Sequence, residues 1–135
     1  MLTTRAEEAF QLLVEGNERF LRGLRSVETQ STPAKLKELA EKGQKPFAIV
    51  LACSDSRVPA EIVFDRGLGD LFVIRIAGNV VSPSIVASIE FAALQFGSPI
   101  CVVMGHTGCG AIKASIARET EHQTAPTENL ERLVG

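Results

Sequence analysis

Apolar residues in the first two dozen positions, Ala6, Phe10, Leu13, Val14, Phe20, Leu21 and Leu24, recur mostly at intervals of three, four or seven. That is the spacing of one helix face, and it predicts a helix over this stretch. A second helix is predicted from Pro33, capped by Thr32, carrying Leu36, Leu39 and Ala40 and stopping at Gly43; proline suits a first turn and glycine a helix end. Both helices are amphipathic, and the pattern leaves open whether they pack on this chain's own sheet or on a neighbour.

From Pro46 onward the period changes. Short apolar runs at 47–52, 71–74 and 100–104, each bounded by turn residues, read as buried parallel strands. Between the second and third, Ser82-Pro83-Ser84 opens an apolar stretch that Gly97 closes, which marks a helix with a serine cap and a proline in its first turn. Residues 108–119 predict another helix, so 46–119 alternates strand and helix. The expected fold is α/β and three-layered, with a central, mostly parallel sheet in the order 2-1-3 and flanking helices. One domain is expected over 1–135: a helical arm at 1–45, the α/β core at 46–119, and a polar tail at 120–135 that reads as a weak helix or a frayed end.

Composition narrows the function classes. With 45% hydrophobic residues and a net charge of −2, the chain suits a soluble domain with a real core, and its scattered Lys and Arg form no basic stripe for nucleic acid. No apolar run reaches the roughly 18–20 residues of a membrane span. The acidic, amphipathic N-terminus lacks the apolar core of a secretory signal, so a cytoplasmic location is expected. Three cysteines, an odd number, point to thiolate chemistry or metal binding rather than disulfides. Cys101, mid-strand among apolar neighbours, is expected to be core, and His122 in the polar tail to be a solvated surface residue.

The first strand runs into Cys53-Ser54-Asp55-Ser56-Arg57 and the third into Gly105-His106-Thr107-Gly108-Cys109-Gly110. Ligand sites in open parallel sheets form at strand C-termini, where such loops converge. Cys53, His106 and Cys109 offer two thiolates and an imidazole, the donors Zn²⁺ prefers, and an open fourth position would make the site catalytic rather than structural. His-x-x-Cys alone is a weak signal; the Cys-x-Asp-x-Arg loop at a second strand end makes it strong. The bland alternatives are two buried thiols and an ordinary loop salt bridge between Asp55 and Arg57. No Gly-x-Gly-x-x-Gly or Walker pattern follows a strand, and the Cys–Arg spacing is not that of Cys-x5-Arg phosphatases.

These two motifs resemble the zinc-binding signatures of the β-class carbonic anhydrases, and Arg75-Ile76-Ala77-Gly78-Asn79 and Ser88-Ile89-Glu90-Phe91-Ala92 are similar to the same family. The resemblance implies one Zn²⁺ per chain on Cys53, His106 and Cys109. It further implies an Asp55–Arg57 dyad that orients a zinc-bound hydroxide at carbon dioxide, giving bicarbonate and a proton. Since two thiolates already offset the ion's charge, less acidification of its water and a preference for alkaline conditions are expected. Some relatives bring this Asp onto the zinc in a resting form associated with a Trp three residues before the first Cys; Val50 stands there, so an open form is expected. Gln44, Phe72, Phe91 and Gly108 match substrate-pocket positions, with Phe91 where relatives often carry Tyr. In the family that pocket lies at a dimer interface, which implies a homodimer or larger assembly. Relatives usually continue for several dozen more residues, so either a partner chain or the tail is expected to cover the apolar edge of the third strand, or the chain is a shortened form with impaired activity. Two other functions fit the motifs: hydrolysis of carbon disulfide or carbonyl sulfide, and a catalytically silent zinc-binding or assembly module.

Overall fold

The computed structural model describes residues 4–26 and 32–135. In chain order its elements are α1 (Thr4–Leu21), α2 (Pro33–Lys42), β1 (Ala48–Cys53), a single-turn α3 (Ala60–Val63) and β2 (Leu71–Ile76), then a 3-10 turn (Ala77–Asn79), α4 (Pro83–Phe96), β3 (Cys101–Met104), α5 (Gly110–Glu121) and α6 (Glu128–Val134). The first three residues of the predicted N-terminal helix lie outside the described residues. The sheet is parallel with strand order β2-β1-β3, as the alternation of strand and helix implied. β1 is central and all six of its residues are buried, which explains its unbroken apolar run.

Alternation along β1 sends residues to two cores. Ala48, Val50 and Ala52 join Leu13 of α1, Ala60 and Leu71 on one face, while Ile49 and Leu51 join Ile74 and, from α4, Ile85 and Ala92 on the other. The two helical layers therefore come from α1 with α3 on one side and α4 on the other. Thr32 caps α2 as expected, its hydroxyl oxygen accepting from the Lys35 N–H at 3.2 Å. Ser82 occupies the cap position of α4, but its side chain makes no capping bond; Pro83 in the first turn and Gly97 in the left-handed conformation mark that helix instead.

Two expectations need correction. The face of α1 turned to the core is Ala6, Ala9, Leu13 and Gly16, whereas Phe10, Leu21 and Leu24 are exposed. The reason is close approach: Gly16 lies so near the Phe64 carbonyl that a Cβ there would fall 1.7 Å from its oxygen. Small residues let the helix reach the Phe64 backbone, with Leu13 as the one large residue of that face, while Phe10 and Leu21 turn outward. Cys101 is exposed rather than core. It pairs with Ile49 in register and shares that face, but β3 borders the sheet among the described residues and α4 covers only β1 and β2. Val103, on the same face, is likewise exposed. The tail forms α6, capped by Thr127 and tied to α5 by an Arg118–Glu131 ion pair of 2.5 Å, and it leaves Val103 uncovered.

The fully buried Asp65 ties α1 to the core. Its carboxylate accepts from Arg19 Nε at 2.6 Å, the Ser26 N–H at 2.7 Å and the Ser26 hydroxyl at 2.8 Å. Burial pushes this carboxyl up, but the Arg19 and Ser26 donors outweigh it and bring it from 3.8 down to about 2. Since the unfolded chain then takes up protons first, this contribution of about 2 kcal/mol is full above pH 4 and is lost as the pH falls towards 2. Asp65→Ala should cost about 2–3 kcal/mol in urea unfolding at neutral pH, somewhat less than a wholly buried pair because Arg19 reaches solvent. Asp65→Asn should flatten the loss of stability on acidification below about pH 4, and an unchanged slope would contradict this.

Candidate metal centre

The register of the sheet brings two loops together. Ala52 pairs with Met104, so the chain leaves β1 at Cys53 and β3 at Gly105 side by side. Beyond β3, His106 and Thr107 lead into Gly108, which is left-handed at φ 68° and turns the chain so that Cys109 caps the N-terminus of α5.

The side chains converge as the motifs implied. Ligand atoms of Cys53, His106 and Cys109 all lie within 4.8 Å of one another, and the two sulfurs are 3.9 Å apart. Both cysteines are buried, and the His106 side chain is only 7% exposed. His106 Nδ1 sits 3.1 Å from the Thr107 carbonyl oxygen, the geometry of a ring N–H donating to it. A carbonyl oxygen can only accept, so the Thr107 contact places the ring proton on Nδ1, and Arg57 Nη2, 3.3 Å from that nitrogen, donates to Asp55 Oδ2 at 2.8 Å instead. Nε2 is then left with a lone pair, and it is buried with no hydrogen-bond partner. A buried acceptor without a partner is costly unless something binds it. Burial raises the Cys53 thiol, yet the hydrogen-bond donors around it, the Asp55 and Gly78 N–H groups among them, outweigh that and bring it to about 7. Two sulfurs and an orphaned imidazole nitrogen suit a soft or borderline divalent cation such as Zn²⁺, with one corner open.

Asp55 and Arg57 stand beside that corner. Arg57 donates from Nε to Asp55 Oδ1 at 2.9 Å and from Nη2 to Oδ2 at 2.8 Å, a forked pair, and its backbone N–H adds a third bond to Oδ1 at 2.9 Å. These bonds hold the Asp55 carboxyl well below the usual carboxylate range. Asp55 Oδ2 reaches to 3.9 Å from His106 Nε2, so an ionised acceptor faces the would-be ligand atoms. Gly108 lies against Arg57.

Three expected pocket residues are not brought to this centre within the chain. Phe72 pairs with Ile49, near the start of β1, and Gln44 precedes β1 altogether, whereas Cys53 ends it. Phe91 packs on Phe72 at a tilt, with ring centroids 6.3 Å apart, so it too lies at the far end of the sheet. Two residues given no individual role from sequence do reach the centre. Gly78 donates its N–H to Cys53 Sγ at 3.3 Å from a left-handed position, φ 68°, where a Cβ would approach Ala111 to 3.0 Å. Arg75 donates to the carbonyls of Cys53 and Asp55 at 3.0 and 2.6 Å. The signal for Arg75 was a cation in the otherwise apolar strand Leu71-Phe72-Val73-Ile74-Arg75-Ile76.

The family model described as carbonic anhydrase matches residues 48–134. Carbonic anhydrase 2 of Mycobacterium tuberculosis is 45% identical over 117 residues, covering 87% of this chain and 56% of that protein. A carbonic anhydrase of Mycolicibacterium smegmatis is 42% identical over 109 residues, 81% of this chain and 52% of its own length. The chain thus spans about half the length of the curated relatives it matches. Among solved structures, the β-carbonic anhydrase CafA of Aspergillus fumigatus superposes with a TM-score of 0.64 at 29% identity, over 93% of this chain and 56% of that one. Matching in its family model, its relatives and its fold, the chain belongs to the carbonic anhydrase family, in its β class.

Proposed function

We propose that this chain takes part in the reversible hydration of carbon dioxide to bicarbonate and a proton, with Zn²⁺ held by Cys53, His106 and Cys109. The observation that carries this is the meeting of three ligand atoms within 4.8 Å, one of them a buried imidazole nitrogen with no partner of its own. Zn²⁺ bound there would supply a Lewis acid that makes water a nucleophile near neutral pH. The protein's part is to orient. Asp55, kept ionised by the Arg57 fork, can accept a hydrogen bond but not donate one. It would therefore accept the hydrogen of the attacking water or hydroxide and leave a lone pair of that oxygen free for the substrate carbon.

Gln44, Phe72 and Phe91 lie at the opposite end of the sheet, so a pocket role for them requires a second copy of the chain. Leu94, Val103 and Ile116 are each more than half exposed, and such apolar surface supports the homodimer reading. The shared packing of α1 and β1 around Leu13 supports reading the chain as one domain.

The chain should bind one Zn²⁺, and Cys53→Ser should lose it, as measured by metal analysis after dialysis. Asp55→Ala should retain zinc while hydration of carbon dioxide, followed by stopped flow with a pH indicator, falls by about 10²-fold or more. Full activity in Asp55→Ala would refute the dyad role. A zinc-loaded chain that hydrates no faster than buffer would refute the carbon dioxide reading and leave a silent zinc module or a hydrolase of carbon disulfide or carbonyl sulfide. Sedimentation should give a dimer or a larger species, and an active monomer would contradict the shared pocket.

A further inference from the structure

We infer that Arg75 is a positioning residue for the metal-binding loop: its guanidinium fixes the peptide groups that set the Cys53 sulfur and the Asp55 carboxylate relative to each other. The inference rests on reading Cys53, His106 and Cys109 as metal ligands, and it assigns Arg75 no contact with substrate.

Cys53 is the last paired residue of β1, opposite Ile76, and the Ser54 N–H donating to the Ile76 carbonyl at 3.2 Å is the last backbone bond between the two segments. Past that point the loop has no strand to pair with, although it carries both a metal ligand and Asp55. Arg75, paired with Ala52 one position earlier, reaches forward and takes over. Its Nε donates to the Cys53 carbonyl at 3.0 Å and its terminal Nη2 to the Asp55 carbonyl at 2.6 Å.

The effect on the sulfur follows from which peptide groups are held. The 53–54 peptide is fixed on both sides, its carbonyl by Arg75 and its N–H by Ile76. The 55–56 peptide is fixed through the Asp55 carbonyl, again by Arg75. The 54–55 peptide between them, which links the Cys53 segment to Asp55, is thereby constrained at both ends. The next residues of β2's exit, through the Gly78 N–H, hold the same sulfur from the other side at 3.3 Å. A guanidinium suits this task because its planar donors are preorganised to span two acceptors, whereas a lysine ammonium on its flexible stem is not. Partners that orient metal ligands typically change metal affinity by about 10–100-fold when removed.

The test uses the full chain with Co²⁺ alone as the probe. Wild type, Arg75→Lys and Arg75→Met are titrated while the thiolate-to-cobalt and ligand-field absorption bands are recorded. Dissociation constants come from competition with a chromophoric chelator, and urea midpoints from the metal-free proteins. Arg75→Met should bind Co²⁺ about 10–100-fold more weakly with shifted ligand-field bands, at an unchanged metal-free urea midpoint, and Arg75→Lys should fall between it and wild type. Wild-type affinity and bands in Arg75→Met would overturn the inference. So would weakened binding matched by an equal loss of metal-free stability, which would mark a merely structural residue. If Arg75→Met does not fold, Arg75→Lys decides: weaker binding with shifted bands supports the role and unaltered binding overturns it. Wild type that binds no Co²⁺ would overturn the metal-centre reading itself, a result visible in its own arm of the experiment.

Discussion

The centre depends on the register between β1 and β3. With Ala52 opposite Met104, both strands release their loops at the same level, and residues more than fifty positions apart in the chain become neighbours. A slip of one residue would shift Cys53 by roughly 3.3 Å and turn it to the other face of the sheet, since side chains alternate at every position. The register is held by burial on both faces. Val50 and Ala52 must face Leu13, and Ile49 and Leu51 must face α4, so a slipped β1 would present every side chain to the wrong core. Fold stability and site geometry are in this sense a single constraint.

Around that constraint the chemistry is layered outward. Sulfur and nitrogen donors occupy the middle, buried enough to lose most of their water. Backbone N–H groups of Asp55 and Gly78 face the Cys53 sulfur, and the Thr107 carbonyl fixes the His106 ring. Asp55, held by Arg57, lies 3.9 Å from the imidazole nitrogen.

Much of this was legible in the sequence because each feature had a local signal. Unbroken apolar runs predicted β1 and β2, Thr32-Pro33 and Gly43 bracketed α2 where the structure places it, and the two Cys- and His-bearing loops announced the ligands. What escaped was set by tertiary distance. No local pattern shows that Gly16 must meet the Phe64 carbonyl, so the apolar stripe read on α1 holds Ala6 and Leu13 of the buried face but not Ala9 and Gly16, and includes the exposed Phe10 and Leu21. Cys101 looked like core because its neighbours in sequence are apolar, but exposure on β3 depends on what covers the strand, which sequence does not encode locally. The resemblance supplied pocket positions for Gln44, Phe72 and Phe91; the fold shows that one copy of the chain keeps them at the far end of the sheet.

X-ray absorption at the zinc edge addresses the donor set directly, because sulfur and nitrogen scatter at different distances. The account predicts two sulfurs at about 2.3 Å together with one imidazole nitrogen and one further light atom at about 2.0 Å. A spectrum showing only light-atom neighbours, or a full set of sulfurs, would contradict the claim that Cys53, His106 and Cys109 share one ion.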